Sequence, residues 1–290
     1  MTSMLSTVNE KALLWPASAL LQTARYRRHA VAALNFYNAE TLRAHIEAAR
    51  VVRAPLILQT TESTIRYLGL GLVVAMARAA AKELNTPVAL HLDHGETPEI
   101  VEKAVLAGYS SVMIDGSALP FAENVKLTQH VVSFARRHGV SVEAELGHVG
   151  QAKGDDPRAF YTKPGDAARF VEETGVDSLA VAVGTAHGFY HGEVKLDFDR
   201  LRAIHYAIPD TPLVLHGGSG VAPQLIRRAI ECGIAKVNFG TEIKNAFTAS
   251  VRDSLVRSED IDLRRTFAPA VMAVSQLSRT KMRMCMHAAS

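Results

Sequence analysis

The chain has 290 residues, of which 48% are apolar and 21% are charged, and its formal net charge is +3. This composition is typical of an ordinary globular protein and excludes collagen-like, disordered and disulfide-rich classes. The small net charge gives no reason to expect a nucleic-acid partner. The two cysteines, Cys232 and Cys285, form neither a CxxC motif nor a disulfide framework, which indicates a reducing compartment.

The amino-terminal segment lacks a basic stretch followed by a long apolar one, so we predict no secretory signal. No run of about 20 apolar residues, the length that a membrane-spanning helix needs, occurs in the sequence. The sequence therefore predicts a cytoplasmic protein without a membrane partner.

Eight short, apolar and β-branched runs alternate with helix-length segments along the chain. Runs of this kind are typical of strands buried on both faces of a parallel sheet. The predicted strands begin at Ala30, Ala54, Val88, Ser110, Ser141, Ser178, Leu213 and Ile234. The predicted helices span Ala39–Val52, Leu70–Leu84, Pro98–Ala107, Ala122–Arg137, Asp166–Thr174, Asp199–Ala207, Pro223–Cys232 and Glu242–Val256.

Eight strand–helix units predict a TIM (β/α)8 barrel, a fold that typically takes ~250 residues. A doubly wound open sheet is the alternative, but it requires a glycine-rich turn after its first strand, where this chain has NFYNAE. We therefore predict one domain over residues 1–290, with a barrel core at about 30–256. The tail at about 260–290 is predicted to form an amphipathic helix packed on the barrel or on another subunit.

Polar residues collect where the predicted strands end, and this is the face on which barrel enzymes carry their active sites. His94, His187 and His216 end or follow strands 3, 6 and 7. Three protein ligands with a fourth position left open are typical of a catalytic zinc site. A single histidine at a strand end is more often a structural residue, and we interpret His91 in that way or as support for a ligand. By strand alternation His91 shares a face with Asp93, whereas Leu92 and His94 point the other way.

Four carboxylates accompany these histidines. Asp93 is the candidate catalytic acid or base, and orienting a ligand histidine is its alternative role. Asp115 and Glu145 are candidates for supporting the ligands or for an alternative metal position. Glu143 shares the face of Glu145 by period two, and it is a candidate to pair with a basic neighbour inside the barrel.

Glycine-rich turns follow strands 7 and 8, with the sequences HGGSG from His216 and NFGT from Asn238. Turns that open helices present free backbone N–H groups, and in many barrels they hold a phosphate. The two turns together favour a phosphorylated substrate.

Long motifs resemble the class II fructose-bisphosphate and tagatose-bisphosphate aldolases from about Ala33 to Phe247. These motifs are LHLDHG, SSVMIDGS, PFAENVKLT, SVEAELG, TGVDSLAVAVGTAHG, PLVLHGGSG and AKVNFGTEIKNAF. The resemblance implies reversible cleavage of a ketose 1,6-bisphosphate to glycerone phosphate and glyceraldehyde 3-phosphate, and it implies a homodimer or homotetramer. It also implies that Zn²⁺ is bound by His94, His187 and His216.

The same resemblance assigns further roles to matching residues. Asp93 would exchange a proton with the C4 hydroxyl of the substrate. The phosphate or substrate would be held by Thr61, Gly188, Gly217, Ser219, Asn238 and Thr241. A monovalent cation, Na⁺ or K⁺, would lie beside the phosphate near the carbonyls of Gly188 and Gly217.

One loop departs from the family pattern. After the fifth strand many members carry a glutamate that abstracts a proton from glycerone phosphate, whereas residues 147–156 here read GHVGQAKGDD. Asp155 and Asp156 are the candidate general bases in its place. The tail matches the family poorly, so Arg264 and Arg265 are named only as possible contacts of a second phosphate.

Three hypotheses follow. The first is a zinc-dependent aldolase for fructose or tagatose bisphosphate, with the epimer left open. The second is a class II aldolase for another phosphorylated ketose, and the third is a non-catalytic barrel that binds a ligand. Lys236 is the strand-borne candidate for a Schiff-base mechanism, which the metal mechanism does not need.

Overall fold

The computed structural model describes residues 14–147, 160–188, 190 and 192–286. Within these residues eight parallel strands close into a barrel in the order β1 to β8, and eleven helices accompany them. The strands are β1 (Val31–Asn35), β2 (Leu56–Thr61), β3 (Val88–Gly95), β4 (Ser111–Ile114), β5 (Ser141–Leu146), β6 (Ser178–Val181), β7 (Leu213–Leu215) and β8 (Ile234–Phe239). The predicted TIM barrel is confirmed.

The helices follow the strands in the alternation that the sequence predicts. They are α1 (Ala17–Tyr26), α2 (Ala39–Val52), α3 (Glu62–Leu68), α4 (Leu70–Glu83), α5 (Pro98–Ala107), α6 (Phe121–Arg136), α7 (Pro164–Thr174), α8 (Phe198–Ala207), α9 (Pro223–Glu231), α10 (Thr241–Arg257) and α11 (Leu263–Met286). Pro98 and Pro223 stand in first helical turns, where the missing N–H costs no hydrogen bond.

Two helices, α1 and α3, are absent from the sequence prediction. With seven residues, α3 is too short to show helical periodicity, and Gly69, whose φ is 82°, separates it from α4. Among the described residues no single helix is both long and apolar enough to cross a membrane. The pair α3 and α4 reaches that length and composition together, but the chain bends by 98° between them.

An apolar cluster closes the amino-terminal end of the barrel. It combines one face of α1 with small inward-facing strand residues: Ala17, Leu20, Leu21, Ala24, Val31, Ala33, Ile57, Ala89 and Ala235. Successive residues of a strand point to opposite faces, so every second residue points into the barrel. The inward-facing residues that come two positions after this cluster therefore form a layer closer to the carboxyl ends of the strands. That layer carries the buried polar residues Asn35, Gln59 and His91, so the polar interior of the barrel lies towards the carboxyl ends of the strands.

The carboxyl-terminal segment forms one helix, α11, as expected for the tail. It packs mainly against α2 and α10. The backbone carbonyl of Cys285 near its end accepts a hydrogen bond of 2.9 Å from the N–H of Ala30, just before β1. The helix is therefore fastened to the barrel at the start of its first strand.

Candidate active site

The end of β3 brings Asp93 and His94 to the open mouth of the barrel. Strict alternation predicts that His94 points away from the interior with Leu92, and that prediction is wrong. His94 has a φ of 51°, and the pairing of β3 with β4 is irregular between Leu92 and Gly95. The left-handed residue breaks the alternation, so Nε2 of His94 lies 3.9 Å from Oδ1 of Asp93.

His94, His187 and His216 converge above the barrel from the ends of three different strands. The ring centre of His94 lies 4.9 Å from that of His187 and 4.7 Å from that of His216. One ligand atom from each of the three side chains lies within 4.8 Å of the other two. His216 is fully buried, whereas His187 is exposed, so the cluster is accessible from one side.

Carboxylates hold the outer nitrogens of two of these rings. Nδ1 of His94 lies 2.7 Å from Oδ2 of Asp115, and Nε2 of His216 lies 2.8 Å from Oε1 of Glu143. The two inner nitrogens, Nε2 of His94 and Nδ1 of His216, then face each other at 3.0 Å. Both rings therefore present a nitrogen to the same small volume.

The charges of these two rings differ. Burial and the neighbouring His94 and Lys236 lower the pKa of His216 well below its usual value, which keeps that ring neutral. Burial also disfavours a charge on His94, but Asp93 and Asp115 outweigh it and raise the pKa of His94 to about 9. The two rings thus differ in charge although their inner nitrogens lie only 3.0 Å apart.

This arrangement fits a metal ion. Imidazole nitrogens are common zinc ligands, and carboxylates on the far nitrogens of the same rings fix their tautomer and orientation. Because the carboxylates occupy the outer nitrogens, the inner nitrogens of His94 and His216 are the ones that would bind the ion through their lone pairs. A second group of possible ligands, His94, Asp115 and Glu145, overlaps the first at His94. The structure thus brings together the three predicted histidine ligands and the two predicted supporting carboxylates, Asp115 and Glu145.

Asp93 is buried and held by three amide side chains. Nδ2 of Asn35 donates to Oδ2 of Asp93 at 3.1 Å, Nε2 of Gln59 donates to the same oxygen at 3.2 Å, and Nδ2 of Asn238 donates to Oδ1 at 3.0 Å. Burial favours the neutral acid, but the nearby His94, His216 and Lys236 and the hydrogen bond from Asn35 outweigh it and keep the pKa of Asp93 below its usual value. Asp93 is therefore an oriented, ionised carboxylate.

The sequence interpretation missed Asn35 and Gln59. Each is a buried amide residue that follows a run of buried apolar residues in its strand. Because a buried polar side chain needs a hydrogen-bond partner, such a residue indicates a polar interior at its position. That signal was present in VAALN and LILQTT.

A buried ion pair lies below the histidines. Nζ of Lys236 on β8 lies 2.7 Å from Oε2 of Glu143, and both side chains are buried. The basic neighbour expected for Glu143 is thus Lys236. Nδ1 of His91 lies 2.8 Å from Oγ of Ser111, and its Nε2 lies 3.3 Å from Nζ of Lys236. Both ring nitrogens thus have partners inside the barrel, which agrees with a structural role for His91.

Tyr190 forms hydrogen bonds with both of the loops that carry His187 and His216. Its hydroxyl accepts the N–H of Ala186 at 2.9 Å and donates to the carbonyl of Gly217 at 2.8 Å. Ala186 precedes His187, and Gly217 follows His216. Gly217 has a φ of 66°, and a Cβ there would overlap the backbone of Ala186. The close approach of the two loops therefore depends on a glycine and on this tyrosine, which the sequence interpretation also missed.

The residues predicted to bind phosphate lie at the same end of the barrel. Thr61 ends β2 in register with Asp93, and its hydroxyl lies 2.8 Å from that of Ser63. Ser219 follows β7, and its Oγ accepts the N–H of Glu242 at 3.3 Å. Thr241 is the first residue of α10, and Gly188 follows His187. Backbone N–H groups in the first turn of α10 have no partner within the helix, which suits an anion.

Asn238 differs from the other residues of this set. Its Nδ2 is used by Asp93, whereas its Oδ1 is buried and has no hydrogen-bond partner among the described residues. An acceptor oxygen suits a hydroxyl of a ligand and not a phosphate oxygen. We therefore interpret Asn238 as a residue that orients the substrate.

Four predicted positions remain: Asp155, Asp156, Arg264 and Arg265. Asp155 and Asp156, the candidate bases, lie outside the described residues. Arg264 and Arg265 stand at the start of α11 and are exposed, and they pair with Asp262 and Asp260 at 2.9 and 2.5 Å. They do not approach the three histidines through any described contact.

Known proteins share both the sequence pattern of this chain and its barrel fold. The sequence matches the family model for fructose-bisphosphate aldolase class II over residues 16–290. The chain therefore belongs to the class II fructose-bisphosphate aldolase family, whose members are aldolases acting on phosphorylated sugars.

Solved structures agree with this membership. The YdjI aldolase from Escherichia coli K12 is 33% identical, with a TM-score of 0.83 over 94% of this chain and 97% of that one. A protein from Coccidioides immitis assigned as a fructose-1,6-biphosphate aldolase is 31% identical, with a TM-score of 0.84 over 93% and 95%. Fructose-bisphosphate aldolase from Campylobacter jejuni, at 23% identity and a TM-score of 0.77 over 94% and 95%, shares the fold.

Proposed function

We propose that this protein is a zinc-dependent aldolase that reversibly cleaves a ketose 1,6-bisphosphate to glycerone phosphate and glyceraldehyde 3-phosphate. The observation that carries the proposal is the combination at the barrel mouth. His94, His187 and His216 present nitrogens to one point, and the ionised carboxylate of Asp93 lies beside them. Family membership supports the reaction class.

The three histidines would hold the ion, with Asp115 and Glu143 fixing the rings of His94 and His216. A bound zinc ion would act as a Lewis acid that stabilises the negative charge developing on the substrate's carbonyl oxygen. The chain itself supplies orientation and proton transfer.

Asp93 is the proposed acid and base at the C4 hydroxyl. In the cleavage direction its carboxylate accepts the hydroxyl proton while the C3–C4 bond breaks, so that C4 becomes an aldehyde. The electron pair of that bond moves towards the carbonyl at C2. The amides of Asn35, Gln59 and Asn238 keep the carboxylate oriented for this transfer.

The phosphate of the glycerone phosphate half would lie against Gly188, Gly217, Ser219 and Thr241, with the hydroxyl of Thr61 at the end of β2 as a further donor. Backbone N–H groups and hydroxyls at the start of a helix are suitable donors for a phosphate. A Na⁺ or K⁺ ion near the carbonyls of Gly188 and Gly217 is part of the proposal. Because the carbonyl oxygen of Gly217 also accepts a hydrogen bond from the hydroxyl of Tyr190, such an ion would share that oxygen.

The proton removed from or returned to C3 needs a second carrier. Asp155 and Asp156 are proposed for this role, since the loop that contains them has no glutamate between residues 147 and 156. The same departure favours one alternative, a class II aldolase for another phosphorylated ketose. The intact ligand set and the held Asp93 argue against a non-catalytic barrel.

Chelation tests the metal. EDTA should abolish cleavage of the bisphosphates and stoichiometric Zn²⁺ should restore it. Full activity in chelator, or a borohydride-trapped adduct at Lys236, would contradict the proposal.

Analysis of the condensation product tests the substrate, because the configuration at C4 distinguishes fructose from tagatose bisphosphate. Cleavage of a different ketose phosphate in preference to both would favour the alternative aldolase. Gel filtration with light scattering checks the proposed dimer or tetramer.

A further inference from the structure

Glu242 places a carboxylate directly beside the proposed phosphate site. It is the second residue of α10, and its Oε1 accepts the N–H of Gly220 at 2.8 Å. Its own N–H donates to Oγ of Ser219 at 3.3 Å. Glu242 thereby holds the turn after β7 against the start of α10, and these two segments are the ones that would surround the phosphate.

The charge of this carboxylate opposes anion binding. A negative side chain in the first turn is attracted to the positive end of the helix, where a phosphate would also be stabilised. A phosphate bound next to an uncompensated carboxylate would experience Coulomb repulsion, which is only partly screened at a half-buried site. The loop geometry that Glu242 provides therefore carries an electrostatic cost.

Lys281 of the carboxyl-terminal helix compensates that charge. Its Nζ lies 2.5 Å from Oε2 of Glu242, and the two side chains are 10% and 26% exposed. The same Nζ lies 5.0 Å from the ring centre of Phe239, the last residue of β8. Lys281 is thus fixed between α11 and the end of the strand that leads into α10.

We propose that Lys281 is a positioning residue for the substrate's phosphate. It neutralises Glu242 and keeps that side chain where it shapes the turn of Ser219 and Gly220. The proposal gives the carboxyl-terminal helix a part in substrate binding, since it contributes the cation that makes an anion site possible beside Glu242. It rests on the proposed function in that the anion is taken to be a sugar phosphate.

The test compares Lys281→Met, Glu242→Gln and the double variant with the wild-type protein. Lys103→Met, on the exposed side of α5, is the matched control. Binding of inorganic phosphate to the zinc-loaded protein is measured first by calorimetry, because it does not depend on turnover. Steady-state KM and kcat on the preferred ketose phosphate follow, and thermal melting checks that each variant is folded.

Lys281→Met should weaken phosphate binding and raise KM by about tenfold, with kcat nearly unchanged, since it leaves one uncompensated charge beside the anion. The double variant should return to within about twofold of wild type, because a glutamine still accepts the N–H of Gly220 without a charge. Lys103→Met should behave as wild type.

Any of the following results would overturn the inference: equal phosphate binding by wild type and Lys281→Met, no recovery in the double variant, or a loss confined to kcat. The absence of any phosphate binding by wild type would also overturn it. If phosphate binding depends on Lys281 but no ketose phosphate is cleaved, the proposed function fails and the anion site remains. If cleavage occurs and Lys281→Met changes nothing, the inference alone fails.

Discussion

Nε2 of His216 lies 2.8 Å from Oε1 of Glu143, inside the barrel where neither side chain contacts solvent. The same carboxylate pairs with Lys236 through its other oxygen at 2.7 Å. Glu143 therefore serves two functions at once, because it orients a proposed ligand and balances a buried ammonium group. A substitution there should affect both metal binding and stability.

Glu143→Gln should lower the affinity for Zn²⁺ by roughly 10- to 100-fold, the range found when a carboxylate that orients a ligand is removed. It should also destabilise the fold by about 3–5 kcal/mol, since Lys236 is left buried without a counter-charge. Competition with a chromophoric chelator and urea unfolding measure the two effects. Glu172→Gln, at an exposed position on α7, is the control, and equal zinc affinity in both variants would contradict the assignment.

Asp93→Asn should reduce kcat by roughly 10²- to 10⁴-fold, because an amide of the same shape cannot accept the C4 hydroxyl proton. Its zinc content should remain stoichiometric, since no described metal-ligand group includes Asp93. Metal analysis and steady-state kinetics on one preparation check both points. A variant that loses its zinc, or that keeps its activity, would assign Asp93 a different role.

Tyr190→Phe removes the hydroxyl that joins the N–H of Ala186 to the carbonyl of Gly217. A neutral hydrogen bond contributes about 1 kcal/mol, so losing two should weaken zinc binding by about 5- to 30-fold. Tyr206→Phe at the surface should leave zinc affinity unchanged. Competition with a chromophoric chelator measures the affinities, and the prediction fails if Tyr190→Phe binds zinc as tightly as wild type.

His45 should make the fold sensitive to acid at a place remote from the histidine cluster. Burial lowers its pKa to about 4, partly offset by a hydrogen bond to the backbone of Asn35. The unfolded chain binds this proton near pH 6.5 and the folded one only near pH 4, so protonation favours unfolding. The stability that neutral His45 provides is complete above pH 6.5 and is lost as the pH falls towards 4.

The size of this effect is about 3 kcal/mol over that pH interval. Urea unfolding of the metal-free protein between pH 4.5 and 7 measures it. The curve for His45→Gln should fall less steeply than that of wild type, whereas His138→Gln, at an exposed position, should follow wild type. Parallel curves for all three proteins would exclude His45 as the titrating group.

The barrel and the three histidines were predictable because each rests on a local pattern. Buried runs of a few apolar residues identify parallel strands, and Pro98 or Pro223 marks a helix start. Other parts of the site depend on contacts between distant segments. The left-handed backbone of His94 accompanies irregular pairing of β3 with β4. Tyr190 forms hydrogen bonds with Ala186 and with Gly217, which belong to loops after two different strands.

Amide residues form an intermediate case. Asn35 and Gln59 are unusual in buried strands, so their polarity was visible, but their shared partner Asp93 appears only when β1, β2 and β3 lie side by side. Lys281 gave no local signal at all. Its contact with Glu242 joins the carboxyl-terminal helix to the end of β8, a relationship that no periodicity encodes.

The left-handed backbone conformation of His94 lowers the stability of the fold at a position where the proposed chemistry requires a histidine. A residue other than glycine in this conformation costs roughly 1 kcal/mol, and asparagine tolerates it better than histidine. Selection of a mutant library for thermal resistance alone would therefore accept asparagine or glycine at position 94, whereas selection for turnover would retain histidine. The left-handed conformation brings the side chain of His94 to the mouth of the barrel. A redesign of this chain for stability alone would replace that residue and thereby eliminate the activity.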